Sequence, residues 1–206
     1  MMPELITPGT TLALVALLAY LLGSVPFGVI VTRVMGLGDL RQIGSGNIGA
    51  TNVLRTGNKG AALATLILDG AKGAVAVLLA KALIGQNDAM QLAGLAAFIG
   101  HIFPVWLKFK GGKGVATFLG TMLALSWPVG LCICATWLAC AFLTRMSSAA
   151  ALLAAATSPL WLVPFERGDL LMLTLVLTAL IYIRHWGNLA RIKAGTEPRI
   201  GAKKQA

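Results

Sequence analysis

Six long apolar stretches dominate the chain, near residues 10–35, 61–85, 90–107, 115–143, 147–165 and 168–184. Each is long enough, or nearly so, to cross a hydrocarbon core of about 30 Å. Backbone in lipid has no water to bond with, so only helices or closed barrels span a membrane. A barrel would show alternating segments of roughly ten residues, and these are missing. The expected fold is therefore all-α, a polytopic integral membrane helical bundle. A soluble domain is excluded by 57% hydrophobic against 12% charged residues.

The charges set an orientation. Residues 33–59 carry Arg33, Arg41, Arg55 and Lys59 against Asp39 alone. Lys108, Lys110 and Lys113 form a second group, and Arg184, Arg191, Lys193, Arg199, Lys203 and Lys204 a third, whereas 1–9 and 85–91 have no Lys or Arg. This bias places the N-terminus outside and the three basic segments in the cytoplasm. The net charge of +10 thus belongs to the ends of apolar segments, which argues against a nucleic-acid partner. No Lys or Arg precedes Arg33, so a basic signal-peptide leader is not expected and the first stretch reads as a retained span.

Parity then becomes a test. An outside N-terminus and an inside tail need an odd number of crossings, whereas six stretches give an even one. Ser126-Trp127-Pro128 would interrupt a helix, and the 29 residues of 115–143 would make one of about 43 Å, long for one untilted pass and short for two. Splitting there gives seven membrane helices, some short or broken. The alternative is five, with 147–184 crossing once. Gly23-Ser24 and Pro26 point to close packing or a bend in the first span.

Polar residues gather between the apolar segments. Gly44-Ser45-Gly46-Asn47-Ile48-Gly49-Ala50-Thr51-Asn52, with Arg55 behind it, combines three features. Gly44, Gly46 and Gly49 permit positive φ and let backbone amides approach a ligand. Ser45, Asn47, Thr51 and Asn52 supply neutral donors, and Arg55 supplies a fork suited to phosphate. In Lys110-Gly111-Gly112-Lys113-Gly114, Lys113 adds a point charge between Gly112 and Gly114. A Walker A loop is ruled out, because the first Gly is absent at the required offset and Val115 replaces its Ser or Thr. Lys108 and Lys110 read as interfacial anchors for anionic lipid. Together the two loops predict a site for a phosphorylated molecule at the bilayer surface.

The third cluster is Arg184-His185-Trp186-Gly187-Asn188, followed by Arg191 and Glu197. His185 reads equally as a general base or as a hydrogen-bonded structural residue, and His101 as structural. Asp69 and Lys72 share one face of an apolar helix, where charges are costly and face the interior. They read as a structural ion pair or as support beneath a phosphate site. Cys132, Cys134 and Cys140 match no zinc or disulfide spacing and read as small core hydrophobes. No metal site and no cofactor are indicated.

The order Gly44-Ser45-Gly46-Asn47…Gly49-Ala50-Thr51-Asn52…Arg55, Asp69-x-x-Lys72-Gly73, Gly100-His101…Pro104…Gly111-Gly112-Lys113-Gly114-Val115-Ala116-Thr117 and Arg184-His185…Asn188 resembles the bacterial acyl-phosphate:glycerol-3-phosphate acyltransferase family over nearly the whole chain. The resemblance implies transfer of a fatty acyl group from long-chain acyl phosphate to the 1-hydroxyl of glycerol 3-phosphate. The products would be lysophosphatidic acid and inorganic phosphate, for phospholipid biosynthesis. It implies a seven-helix, multi-pass protein of the bacterial inner membrane with a cytoplasm-facing active site and, as a partner, a soluble acyl-phosphate synthase.

Carried over by motif, Ser45, Lys113, His185 and Asn188 would be catalytic. Gly44, Gly46, Asn47, Gly49, Thr51, Asn52, Arg55, Gly112 and Gly114 would hold substrate or phosphate. Asp69, Lys72 and Glu197 would support them. Ile48 stands where many members have proline, a change expected to alter loop stiffness rather than chemistry. The expected organisation is one membrane-embedded domain, 1–206, with cytoplasmic-side loops 36–60 and 108–114 and tail 185–206. Acyltransferases that use acyl-CoA or an acyl carrier rely on a His-x-x-x-x-Asp pair, but Trp106 and Ala190 occupy the matching positions after His101 and His185. The alternative from another class is a membrane transporter for an organic phosphate, favoured only by Asp69 and Lys72.

Overall fold

A computed structural model describes residues 4–201, and every regular element in that range is helical. Lys203 and Lys204 of the basic tail lie outside the described residues. The first stretch breaks where proline dictates. Helix α1 (Gly9–Gly23) ends at Ser24, and α2 (Phe27–Val34) restarts after Pro26, which has no N–H to continue the ladder. A short α3 (Ala50–Val53) follows the first polar loop. Helix α4 (Lys59–Leu83) starts with the Asn58 side chain accepting from the Ala61 amide, an N-cap that satisfies one of the orphan donors there. Helix α5 (Asn87–Ile102) returns after a tight turn.

The expected break at Ser126-Trp127-Pro128 is present. Helix α6 (Val115–Leu125) stops at an extended Ser126, and α7 (Trp127–Thr144) restarts with proline in its first turn. Arg167 donates from a guanidinium nitrogen to the Leu125 carbonyl at 2.7 Å, supplying a partner for one carbonyl orphaned at the end of α6. Segment 147–184 divides into α8 (Ser147–Thr157) and α9 (Leu171–Arg184), with 3₁₀ turns between them. Helix α10 (Trp186–Lys193) leaves α9 at 64°.

Among the described residues, four helical segments are long and apolar enough to cross a membrane, namely Gly9–Val34, Lys59–Leu83, Asn87–Leu107 and Trp127–Thr144; the bent α9–α10 pair makes a fifth if taken as one span. Helices α6 and α8 have 11 residues each, about 16 Å at helical rise and half a hydrocarbon core.

Small residues bring the bundle together. Helix α1 packs on α5, and α4 packs on both α5 and α6. Gly23 lies against the Ala97 backbone and Gly120 against Gly70, so close that a Cβ at either glycine would overlap the facing helix. Such stripes let membrane helices approach closely where hydrophobicity gives no drive. The main core, Phe98, Ile102, Phe118, Met122, Ile133, Leu177 and Ile181, joins α5, α6, α7 and α9. Large apolar residues such as Leu17, Leu63, Phe142 and Leu143 face outward, as a lipid-solvated bundle requires. Cys140 sits in a small core cluster, whereas Cys132 and Cys134 are only half-buried on α7.

Candidate functional site

The first polar loop is stapled to the bundle by its apolar residues. Leu40, Ile48 and Val53 bury against Ala61 and Ala62 of α4. Ile48 therefore anchors the loop through packing. Gly44 and Gly46 take positive φ, 56° and 69°, a region glycine enters without the Cβ penalty. Gly49 differs from expectation. It is extended at φ −85°, and its amide donates to Asn47 Oδ1 at 3.1 Å.

Asn52 is a loop organiser. Its Nδ2 faces the carbonyls of Leu40, Ile43 and Asn47 at 2.8 to 3.0 Å, and its Oδ1 accepts from the Ser45 amide at 3.1 Å and from Arg55 at 3.2 Å. The side chain is 2% exposed, so its hydrogen-bonding capacity is spent on the loop and none is left for a ligand. The Thr51 hydroxyl pairs with Ser147 Oγ at 3.0 Å, tying this loop to α8.

The second loop returns against α5. The Gly112 amide donates to the His101 carbonyl at 3.1 Å. Arg184, at the end of α9, donates from Nε to the Gly112 carbonyl at 3.1 Å and from a terminal nitrogen to the Gly111 carbonyl at 2.9 Å. Its guanidinium lies 5.6 Å from the centre of the Phe103 ring, within cation–π range. Lys108 and Phe109 both take left-handed φ, 53° and 60°, and such non-glycine strain gathers next to functional loops. Gly114, at φ 82°, lies on the Phe98 ring and opens α6, whose N-terminal end adds positive potential.

The bend after Arg184 carries α10 over these loops. His185 is buried, with Nδ1 2.8 Å from the Ile181 carbonyl. A carbonyl only accepts, so Nδ1 carries the proton and Nε2 is left as the acceptor. Lys113 Nζ donates to Asn188 Oδ1 at 2.5 Å, and Asn188 Nδ2 donates to Glu197 Oε1 at 2.6 Å. Glu197 also accepts from Ser148 at 2.6 Å and from Arg191 at 2.8 Å. Burial alone would raise the Glu197 pKa, but these donors outweigh it and hold the carboxyl below its ordinary value. Burial also lowers Lys113 to about 8; Glu197 opposes the shift, while Arg191, Arg55 and Arg184 add to it.

Ser45, Gly46, Asn47, Gly111, Lys113, Arg184, Gly187, Asn188 and Arg191 line one cleft of about 390 Å³. Three regions far apart in sequence thus converge, bringing cations and neutral donors around one space. Among the described residues, the amides of Asn47 and Lys113 have no internal hydrogen bond. Arg55 stands beside this wall, against Gly44 and Asn52. Asp69, Lys72 and His101 lie buried beneath the second loop. Arg184, Arg191, Gly111 and Gly187 line the cleft without having been singled out as site residues. In the sequence the two arginines are part of the third polar cluster and of the basic tail. The folded-back second loop, whose carbonyls Arg184 holds, and the bend at His185, which carries Arg191 over, place them at the cleft. A second cleft, of about 320 Å³, contains Arg33 and Asp39, but Asp39 is engaged by Arg41 at 2.9 Å.

These features define a class, a multi-pass helical membrane protein with a cationic, donor-rich cleft suited to phosphate. The family model described as glycerol-3-phosphate acyltransferase matches residues 13–195. Curated relatives named glycerol-3-phosphate acyltransferase include one from Cereibacter sphaeroides, 60% identical over 202 residues, covering 98% of this chain and 96% of its own. Another, from Ruegeria pomeroyi, is 63% identical over 202 residues, covering 98% and 99%. The crystal structure of PlsY (YgiH), an integral membrane glycerol 3-phosphate acyltransferase, in its glycerol 3-phosphate form superposes with a TM-score of 0.87 at 38% identity, covering 93% of this chain and 96% of that one. Its lysophosphatidic acid form gives 0.84 at 37% identity, with the same coverage. The chain belongs to the glycerol-3-phosphate acyltransferase family and is a membrane acyltransferase. This membership sets the transporter alternative aside.

Proposed function

We propose that this protein transfers a fatty acyl group from a long-chain acyl phosphate to the 1-hydroxyl of glycerol 3-phosphate, releasing lysophosphatidic acid and inorganic phosphate. The observation that carries the reading is the cleft itself. Lys113, Arg184 and Arg191 meet Ser45, Asn47 and Asn188 around one space large enough for a small phosphate ester. That relatives of this chain bear the name glycerol-3-phosphate acyltransferase, and that one was solved in glycerol 3-phosphate and lysophosphatidic acid forms, supports the choice of acceptor and product.

Two phosphates brought together repel, and Arg55, Lys113, Arg184 and Arg191 offset that repulsion. Ser45 and Asn188 orient the acceptor hydroxyl. The hydroxyl oxygen bonds to the acyl carbon, the bond from that carbon to the phosphate oxygen breaks, and the hydroxyl proton leaves with the donor's own phosphate. A mixed anhydride carries a good leaving group, so no strong general acid is required. His185 is buried and is not among the residues that line the cleft, so the proton does not pass through it.

In this reading the chain is one domain, 1–206, of the bacterial inner membrane. It crosses seven times, with α6 and α8 as short crossings. The N-terminus lies outside, and loops 36–60 and 108–114 and tail 185–206 lie in the cytoplasm. A soluble synthase would deliver the acyl phosphate. The test supplies purified protein with glycerol 3-phosphate and either palmitoyl phosphate or palmitoyl-CoA. Equal amounts of lysophosphatidic acid and phosphate from the acyl phosphate alone are expected, and product from the thioester would overturn the donor. Lys113→Met is expected to abolish turnover and leave folding intact.

A further inference from the structure

A buried ionic cluster lies under the second loop and reaches the start of α2. Asp69 Oδ1 lies 3.0 Å from Lys72 Nζ and 3.6 Å from His101 Nδ1, and all three side chains are 4% exposed or less. At 3.6 Å the imidazole is in contact with Asp69 without a hydrogen bond, and among the described residues His101 Nδ1 has no hydrogen-bond partner. Lys72 Nζ donates to the Val25 carbonyl at 3.0 Å. That carbonyl stands at the break between α1 and α2, next to Pro26, and the Lys72 ammonium lies 5.9 Å from the centre of the Phe27 ring. Helix α2 leads into the first polar loop. Its Gly28 lies directly against the Ile48 carbonyl, where a Cβ would overlap it.

His101 forms the other arm. Its carbonyl holds the Gly112 amide, and its imidazole lies so close under Gly112 that a Cβ there would overlap Nε2. Gly112 directly precedes Lys113. A continuous set of contacts therefore runs from the Val25 carbonyl through Lys72, Asp69 and His101 to the backbone that carries Lys113. Charges in a membrane interior are costly and need a role that outweighs the penalty. Helix packing alone would be served as well by apolar residues of similar volume.

We propose that Asp69, Lys72 and His101 form a positioning device: the imidazole, in contact with Asp69, sets the height of the Gly111–Lys113 backbone, while Lys72 fixes the start of α2, where Gly28 meets the Ile48 carbonyl of the first loop. The device rests on reading the cleft as the glycerol 3-phosphate site, and these residues act through Lys113 and Ser45 without touching substrate.

The imidazole–Gly112 contact makes a double-mutant cycle possible. His101→Ala leaves a space under Gly112, Gly112→Ala drives a methyl into the ring, and the double variant places that methyl in the vacated space. Each single change is expected to raise KM for glycerol 3-phosphate about tenfold, with kcat less affected. The double variant is expected to fall below either single one, where independent effects would multiply to about a hundredfold. A purely structural role would lower yield and melting temperature but leave the KM of folded protein unchanged. An unchanged KM in His101→Ala, or multiplicative effects, would overturn the proposal.

The pH dependence of Lys113 labelling by an amine-acetylating reagent, read by mass spectrometry, needs no substrate. A midpoint near that of the unmodified protein in His101→Ala would also overturn the device. A moved midpoint in a protein that does not turn over glycerol 3-phosphate would keep it and overturn only the functional reading. If His101→Ala does not fold, Asp69→Asn takes its place in the labelling experiment, with the same two outcomes.

Discussion

Asn188 stands between a cation and an anion, with Oδ1 accepting from Lys113 at 2.5 Å and Nδ2 donating to Glu197 at 2.6 Å. Only this orientation of the amide satisfies both neighbours, so the charges themselves assign it. Asn188→Asp would set a carboxylate against Glu197, remove one of that residue's donors and pair directly with Lys113. An opposite charge at this distance raises a lysine pKa. A fall of about 100-fold in kcat/KM for glycerol 3-phosphate is expected, roughly the loss when a buried charged network is broken. The alkaline limb of the pH profile should move upward as well. A limb that stays in place would mean Asn188 does not meet Lys113 in the working protein.

The same lysine sets the pH dependence. Burial, reinforced by three arginines, brings Lys113 to about 8, and kcat/KM reports groups of the free enzyme and free substrate. Below that value Lys113 is charged and attracts phosphate. Above it the free enzyme loses the proton, so kcat/KM should drop tenfold per pH unit. An acid limb is expected near 6, where a phosphate monoester loses its second proton. In Lys113→Arg the guanidinium stays charged throughout; activity should fall through altered geometry, but the alkaline limb should vanish. An identical limb in that variant would assign the titration to another group.

Two glycines of positive φ separate strain from collision. Gly44 (φ 56°) and Gly57 (φ 87°) both favour glycine, yet a Cβ at Gly57 would meet nothing within 4 Å. At Gly44 it would come within 2.6 Å of Asn52 Oδ1 and 2.7 Å of Arg55 Cδ. Gly57→Ala should cost only the left-handed penalty, about 1–2 kcal/mol in thermal or denaturant unfolding, with KM unchanged. Gly44→Ala should carry that cost and displace Arg55 as well, raising KM for glycerol 3-phosphate at least tenfold. Equal KM values in the two variants would place Arg55 outside substrate binding.

The helices were legible because lipid leaves a backbone few choices. Stretches of apolar residues became helices, and the proline breaks at 26 and 128 appeared where the missing N–H required them. Crossing number was less legible, because α6 and α8 are shorter than a membrane and hydropathy does not distinguish a short crossing from a buried segment. In the cleft, Ser45, Lys113 and Asn188 stood out through their surroundings of glycine, amide and basic residues. Arg184 and Arg191 did not, since Arg184 is held by the carbonyls of a loop far away in sequence and Arg191 is brought in by the 64° bend between α9 and α10. The place of His101 under Gly112 depends on a loop folding back on its own helix. Asn52 looked like one more ligand donor, and only its set of five partners reveals a residue turned inward.

That inward turn gives Asn52 a measurable role. It replaces water for the carbonyls of Leu40, Ile43 and Asn47 and for the Ser45 amide, and it holds Arg55. Each net hydrogen bond is worth about 1 kcal/mol, and unmet buried groups cost more. Asn52→Ala should therefore loosen the first loop locally while α4 and the bundle persist, because Leu40, Ile48 and Val53 still pack on α4. Limited trypsin digestion provides the readout, since Arg41 and Arg55 flank the loop. Cleavage at these two sites should accelerate at least tenfold over the unmodified protein, with a parallel rise in KM for glycerol 3-phosphate and little change in helical content. Bound glycerol 3-phosphate, which contacts Ser45 and Asn47 in the proposed reading, should slow that cleavage again. If digestion is no faster in Asn52→Ala, the loop is held by its apolar staples alone and Asn52 is dispensable for its shape.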